Sequence, residues 1–222
     1  MNDRSNHTLS IDVVSDVMCP WCYIGKRRLD RARELNPQIG TDIRWRPFQL
    51  DATIPPEGMD RKDYLDRKFG PDRSREIYAR IEATGEAEGI PFAFDRIEKS
   101  PNTLDAHRLI RWSASAARQD AVVEKLFSLF FVEGEDIGDR EVLIGAARDA
   151  GMDVDLVREL LDSGADAELV EREVALAHQL GVEGVPAFIF ANRYVVMGAQ
   201  APELIAKAMQ QASEETAAND VY

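Results

Sequence analysis

Strand-forming sequence is confined to the two ends of this chain, and that division constrains the fold more than any other feature. LSIDVVSD (9–16) is a short run rich in Val and Ile that reads as a buried strand. TDIRWRPFQL (41–50) reads as a second strand, interrupted late by Pro47. Between them, residues 20–35 form a charged helix running up to Pro37. A β-α-β opening lays that helix across a sheet as a right-handed crossover. At the far end VPAFIF (185–190), the turn pair Ala191-Asn192 and RYVVMG (193–198) read as a hairpin.

The middle has a different character. DATIPPEGMD (51–60) is a Pro/Gly-rich linker, and from about 60 to 180 the apolar residues recur with helical period. Val122, Leu126, Leu129 and Phe130 share one face, and so do Leu143, Ala146, Ala147 and Ala150. Leu156, Val157, Leu160 and Leu161 repeat the pattern, followed by Val170, Val174 and Ala177. Asp139 and Asp153 stand where N-caps belong, with Gly134, Gly138 and Gly151 in the breaks. A last helix starts near Pro202 with Leu204, Ile205, Ala208 and Met209 on one face, and the tail ASEETAANDVY reads as frayed. The economical solution is an α/β protein whose single sheet draws on both ends, residues 1–58 and 178–222, around a helical insertion over 59–177.

The sheet-to-helix junction carries the chemistry. Cys19-Pro20-Trp21-Cys22 follows a strand directly and opens a helix. Pro at the first helical position has φ preset and gives up only an N–H that lacks a partner anyway. Cys19 is then the N-cap, its sulfur facing free backbone N–H groups and the positive end of the helix dipole, which favour thiolate. Cys22 lies one turn later on the same face, within bonding reach. This predicts an exposed nucleophile at Cys19 and a more buried resolving thiol at Cys22. No other cysteine exists, and a bridge closing so short a loop constrains little chain, so chemistry is the better use of the pair. A zinc site would need two more ligands, and only His7, His107 and His178 remain. His7 sits in the leader, His178 reads as a core histidine four residues after Val174, and His107 reads as structural.

Composition narrows the partners. A net charge of −13 disfavours nucleic acid, which needs a clustered basic surface. No stretch approaches the roughly 18 unbroken apolar residues of a spanning helix, and MNDRSNHTLSIDVV lacks a signal-like pattern, so the expected location is cytoplasmic.

SDVMCPWCYIGKRRLD resembles the active-site segment of the DsbA-like thioredoxin superfamily, in its cytoplasmic FrnE-type branch. RPFQLD (46–51), SPNTLDAHRLI (100–110) and GVEGVPAFIFANRYVVMGAQ (181–200) resemble that branch's second strand, insertion segment and cis-proline hairpin, in the right order. The resemblance implies a thioredoxin-like fold interrupted by an all-helical insertion. It implies dithiol-disulfide exchange with protein or small-thiol substrates, glutathione among the candidates. The sequence calls for no cofactor or metal, and it leaves monomer and homodimer equally open. It makes Pro186 a cis-proline whose Val185–Pro186 peptide faces the cysteines and offers the Val185 backbone to an extended substrate. The residues themselves require only a turn before a strand, which a trans proline satisfies equally.

Pro20 and Trp21 join the expected substrate surface, with Trp21 exposed between the cysteines. Asn102 is either a substrate contact from the insertion or an N-cap. Asp16 is either a proton acceptor for Cys22 or a turn cap. Phe48 and Gln49 could line the cleft, with core the stronger reading for Phe48, and Lys26, Arg27 and Arg28 read as a solvated helix face. Kappa-class glutathione transferases and hydroxychromene-carboxylate isomerases share the implied fold, but carry a serine at the Cys19 position and a Ser-Asp-like pair where this chain has Gly198-Ala199-Gln200. Both departures favour dithiol chemistry. A non-enzymatic chaperone-like module would not need both thiols.

Overall fold

A computed structural model describes residues 8–219. The sheet joins the two ends of the chain in the order β2-β1-β5-β6. β1 (Thr8–Ser15) pairs parallel with β2 (Gly40–Pro47) and antiparallel with β5 (Ala187–Phe190), which forms a hairpin with β6 (Tyr194–Met197). Ala191 and Asn192 in the hairpin turn both have positive φ, the left-handed geometry that two-residue turns demand.

The sheet is covered on both faces, which explains the near-continuous apolar run of β1. Ile11 and Val13 point into the main core, which also receives Ile24 and Leu29 of α1 (Pro20–Glu34) and Ile205 and Met209 of α9 (Pro202–Asn219). Val14 and Ala187, a register pair, point the other way into a smaller cluster with Phe48, Ala177 and Val182.

The middle of the chain is helical: α2 (Arg61–Phe69), α3 (Pro71–Ala87), α4 (Leu104–Ser113), α5 (Gln119–Ser128), α6 (Arg140–Asp149), α7 (Val154–Asp162) and α8 (Ala167–Gln179). Asp139 and Asp153 cap α6 and α7, each accepting from two backbone N–H groups. The block is not purely helical, because β3 (Met59–Asp60) pairs with β4 (Lys99–Ser100) in a two-residue ribbon. Runs that short leave no periodicity to read. An aromatic cluster locks the block to α1: Tyr23 stacks on Phe127 at 4.9 Å, and Phe92 and Phe131 close around the same ring. Such pairs contribute about 0.5–1.5 kcal/mol each beyond their buried area.

Three sequence expectations are corrected here. Lys26 is not solvated: it is 4% exposed and meets Asp30, Asp120 and Glu124 at 3.1, 3.2 and 3.2 Å. Arg27 pairs with Glu124, and Arg28 reaches Glu88 and the Ala199 carbonyl. A charged helix face reads as solvated until a second element brings carboxylates over it. The tail is not frayed over its described length, since α9 runs to Asn219 with Ala212 buried and Thr216 Oγ1 donating to the Ala212 carbonyl. His178 is exposed rather than core, its ring 4.5 Å from that of Phe48. His7 lies outside the described residues.

Candidate active site

The strand-helix junction aims both cysteines at one place. β1 ends at Ser15, a turn closes with Cys19 N–H donating to Asp16 O at 3.0 Å, and α1 begins at Pro20. Cys19 is the N-cap, with extended backbone (φ −93°, ψ 114°), but its sulfur makes no capping hydrogen bond to the first helical N–H groups. Cys22 N–H donates to Cys19 O at 3.0 Å, which sets Cys22 one turn behind. Both thiols are free.

The exposure of the nucleophile differs from expectation. Cys19 is only 4% exposed, against 1% for Cys22. The Val185–Pro186 peptide, which is cis, lies over it, and Cys19 Sγ–H donates to the Val185 carbonyl at 3.8 Å. Trp21 is half-buried against the core rather than exposed.

Cys22 resists ionisation. Burial pushes the Cys22 thiol well above its ordinary value, and the Cys19 sulfur beside it pushes the same way. The Ser15 hydroxyl and the Asp16 backbone oppose this without reversing it. Cys22 is thus held as a thiol.

Asp16 fastens the loop behind the cysteines. It is fully buried, with Oδ2 accepting from Leu50 N–H at 2.7 Å and Oδ1 from Met18 N–H at 3.3 Å. His107 Nε2 sits 2.8 Å from Phe48 O and 3.5 Å from Asp16 Oδ1. A carbonyl can only accept, so Nε2 carries the proton. His107 therefore ties the insertion to the redox loop, a role that lies in tertiary contact and not in its helical position.

The structure brings Cys19, Cys22, Pro20, Val185 and Pro186 together. Asn102 uses its polar atoms locally: its Oδ1 accepts from Leu104 N–H and Gln49 Nε2, and its Nδ2 donates to Ile54 O at 2.7 Å. These bonds fasten the 50s loop to the start of α4. Phe48 is buried on the far face of the sheet.

Sequence reasoning passed over a polar wall on α2 and α3. Arg61 donates to Ser100 Oγ and Tyr78 Oη, and Lys68 Nζ donates to Tyr64 Oη at 2.6 Å. Burial lowers the Lys68 amine, and the nearby charges of Asp51, Cys19 and Asp16 oppose that. Burial also raises Tyr78, with the Cys19 charge adding to it. Nothing in RKDYLDRKF distinguishes these positions from an ordinary charged helix. Gly25 was also missed, although a lone glycine inside a helix is a legible sign of close packing.

Among the described residues there is no cluster of His, Cys, Asp and Glu able to hold a metal, and no helix is long and apolar enough to cross a membrane.

Known proteins share this fold. The structure is similar to that of a probable DsbA oxidoreductase, SCO1869, from Streptomyces coelicolor, with 29% identity, a TM-score of 0.84, and coverage of 93% of this chain and 91% of that one. A 2-hydroxychromene-2-carboxylate isomerase matches at 18% identity and TM-score 0.69, over 96% of this chain and 99% of its own. The cytosolic disulfide reductase DsbM of Pseudomonas aeruginosa, solved with GSH, matches at 18% and 0.66, over 92% and 99%. At those identities the last two show the fold. The DSBA-like thioredoxin domain model matches residues 10–210, nearly the whole chain, and the chain belongs to the DsbA-like thioredoxin family.

Proposed function

We propose that the protein is a thiol-disulfide oxidoreductase working through Cys19 and Cys22. The observation that carries this reading is Cys19 at the N-cap of α1, its sulfur 3.8 Å from the Val185 carbonyl, with a second thiol one turn behind.

In the reductive direction the Cys19 thiolate attacks one sulfur of a substrate disulfide. The substrate S–S bond breaks, a mixed disulfide forms, and the departing sulfur takes a proton. Cys22 then loses its proton and attacks Cys19 Sγ. The second substrate sulfur leaves as a thiol, and two electrons have passed from the protein dithiol to the substrate. Running the steps backward oxidises a substrate dithiol. Because burial holds Cys22 as a thiol, its attack on Cys19 Sγ waits on the loss of that proton.

Val185 supplies the backbone edge against which an extended substrate would lie. Lys68, on α2, would supply a positive charge suited to the carboxylates of glutathione, the small thiol present in the DsbM structure. The FrnE-type branch and a cytoplasmic location belong to this same reading, and residues 1–58 with 178–222 form its redox domain around an insertion over 59–177.

A glutathione-dependent isomerase is the second reading, favoured by the likeness to the isomerase fold. Retention of both thiols favours the first. Insulin reduction by dithiothreitol, followed by turbidity, tests it: the wild type should accelerate precipitation and Cys19→Ser should not. Equal rates with and without the wild-type protein would sink the redox reading.

A further inference from the structure

Behind the redox centre lies a cavity of about 720 Å³, walled by β2 on one side and the insertion helices on the other. None of Cys19, Cys22, Val185 or Pro186 lines it. Its volume is in the range of small-molecule sites, and its lining is mainly apolar, with Trp45, Trp112, Leu156 and Val157 contributing. Leu156 is half exposed at the opening, a large apolar side chain left uncovered.

One buried polar atom there has no partner, and a second has only a thiol. Trp45 Nε1, on a residue 6% exposed, makes no hydrogen bond within the described chain, and Ser15 Oγ, on a residue 3% exposed, has only the Cys22 thiol beside it. Both residues line the cavity. Native proteins rarely leave such groups unmatched, because each costs desolvation free energy with no return. An indole N–H only donates, so whatever satisfies Trp45 must bring an acceptor.

The charges at the cavity point the same way. Arg44 and Arg46 are neutralised by Asp42 and Asp12, and Arg111 by Glu173. The Asp153 carboxylate is used in capping α7. Arg118 differs: its guanidinium donates to the Ala150 carbonyl at 2.6 Å and has no carboxylate partner among the described residues. Gln119, next to it in sequence, accepts from the Trp45 backbone N–H, which holds that segment against β2.

We propose that this cavity is a second binding site, distinct from the redox cleft, for a small organic acid with an aromatic body. The rings of Trp45 and Trp112 cover the body, the buried donors meet its acceptors, and Arg118 meets the carboxylate. Ser15 also stands beside the Cys22 thiol, so the inner wall of this site is shared with the redox pair.

Calorimetric titration of the reduced protein with 2-naphthoate and with the neutral 2-naphthylmethanol tests the site. Naphthoate should bind about 10-fold tighter than the alcohol, the worth of one charged hydrogen bond. Arg118→Gln should abolish that difference while leaving the alcohol's affinity unchanged. Ala116→Trp, which adds bulk at an exposed lining position on the turn after α4, should weaken both probes at least about 10-fold and leave the alkylation rate of Cys19 unaltered. Should either variant fail to fold by thermal melting, the other still decides. Absence of heat with both probes in the wild type, or binding indifferent to whichever variants fold, would mean the cavity holds water only and overturn the proposal.

Discussion

Gly25 and Pro186 touch so closely that a methyl group added to Gly25 would lie 2.6 Å from Pro186 Cγ and 3.2 Å from Phe188 Cζ. The helix that carries the cysteines thus bears directly on the loop that carries the Val185 carbonyl, and the absent side chain at residue 25 is what lets Val185 reach Cys19.

Gly25→Ala should therefore be harmful where helix propensity alone favours it. Replacing a mid-helix Gly by Ala stabilises by about 1 kcal/mol in open surroundings. Here the ring of Pro186 cannot rotate away, and overpacking of this kind costs about 1–3 kcal/mol. Urea unfolding should show a net loss, and attack of Cys19 on a disulfide such as 5,5′-dithiobis(2-nitrobenzoate) should change rate as the loop lifts. A variant as stable and reactive as wild type would mean that the loop yields freely.

The thiols should label in order. With Cys22 held as a thiol by burial, iodoacetamide at neutral pH should modify Cys19 first, and Cys22 only as pH rises well past the ordinary thiol value of about 8.5. Peptide mass analysis reads the order, and preferential labelling of Cys22 would reverse the roles. Cys22→Ser should accumulate mixed disulfides, and Cys19→Ser should form none.

Much of this was legible in the chain. The division of strands between the ends, the hairpin over 185–198 and the caps at Asp139 and Asp153 follow from local pattern, and local pattern governs strands, turns and helix starts. Lys26, His178 and the 2-residue ribbon were misread because their states depend on which distant segment covers them. The same limit applies at the site. Cys19-Pro20-Trp21-Cys22 announces itself through spacing, whereas Lys68, Tyr78 and His107 reach it only through folding, and no spacing encodes that. Cys19 read as exposed because nothing in residues 15–25 reveals the loop that lies over it.

Lys26 makes the junction of α1 and α5 sensitive to pH from both directions. Burial alone would lower the Lys26 amine, but Asp120, Asp30 and Glu124 outweigh it and the amine is raised. Burial alone would raise the Glu124 carboxyl, but Lys26 and Arg27 outweigh it and the carboxyl is lowered. The Glu124 contribution is present above its unfolded value of about 4.3 and is lost as pH falls through the lower folded value. The Lys26 contribution is present below about 10.4 and is lost as pH rises through the higher folded value. Lys26→Met should cost about 1–3 kcal/mol in urea unfolding at pH 7. It should also flatten the acid limb of stability below about pH 4.5, where Glu124 no longer has its lysine. An acid limb as steep as the wild type's would assign the loss to other carboxylates.

Asp16 separates a fastening role from a proton-accepting one. Its two oxygens take the N–H groups of Leu50 and Met18, with the His107 ring nearby, all without solvent. Asp16→Ala leaves those donors unmatched, at about 1–3 kcal/mol for each buried group so orphaned. Asp16→Asn keeps one acceptor oxygen and should cost less, while its amide faces at least one donor. If the carboxylate only fastens the loop, stability and the rate at which Cys22 releases a mixed disulfide should fall together across the Asn and Ala variants. A carboxylate that takes the Cys22 proton would behave differently: Asp16→Asn would slow release sharply at pH 7 while costing little stability, and raising the pH would restore the rate. The short bond from Leu50 N–H to Oδ2 favours the first outcome. Urea midpoints measured beside single-turnover release rates at pH 7 and 9 distinguish the two.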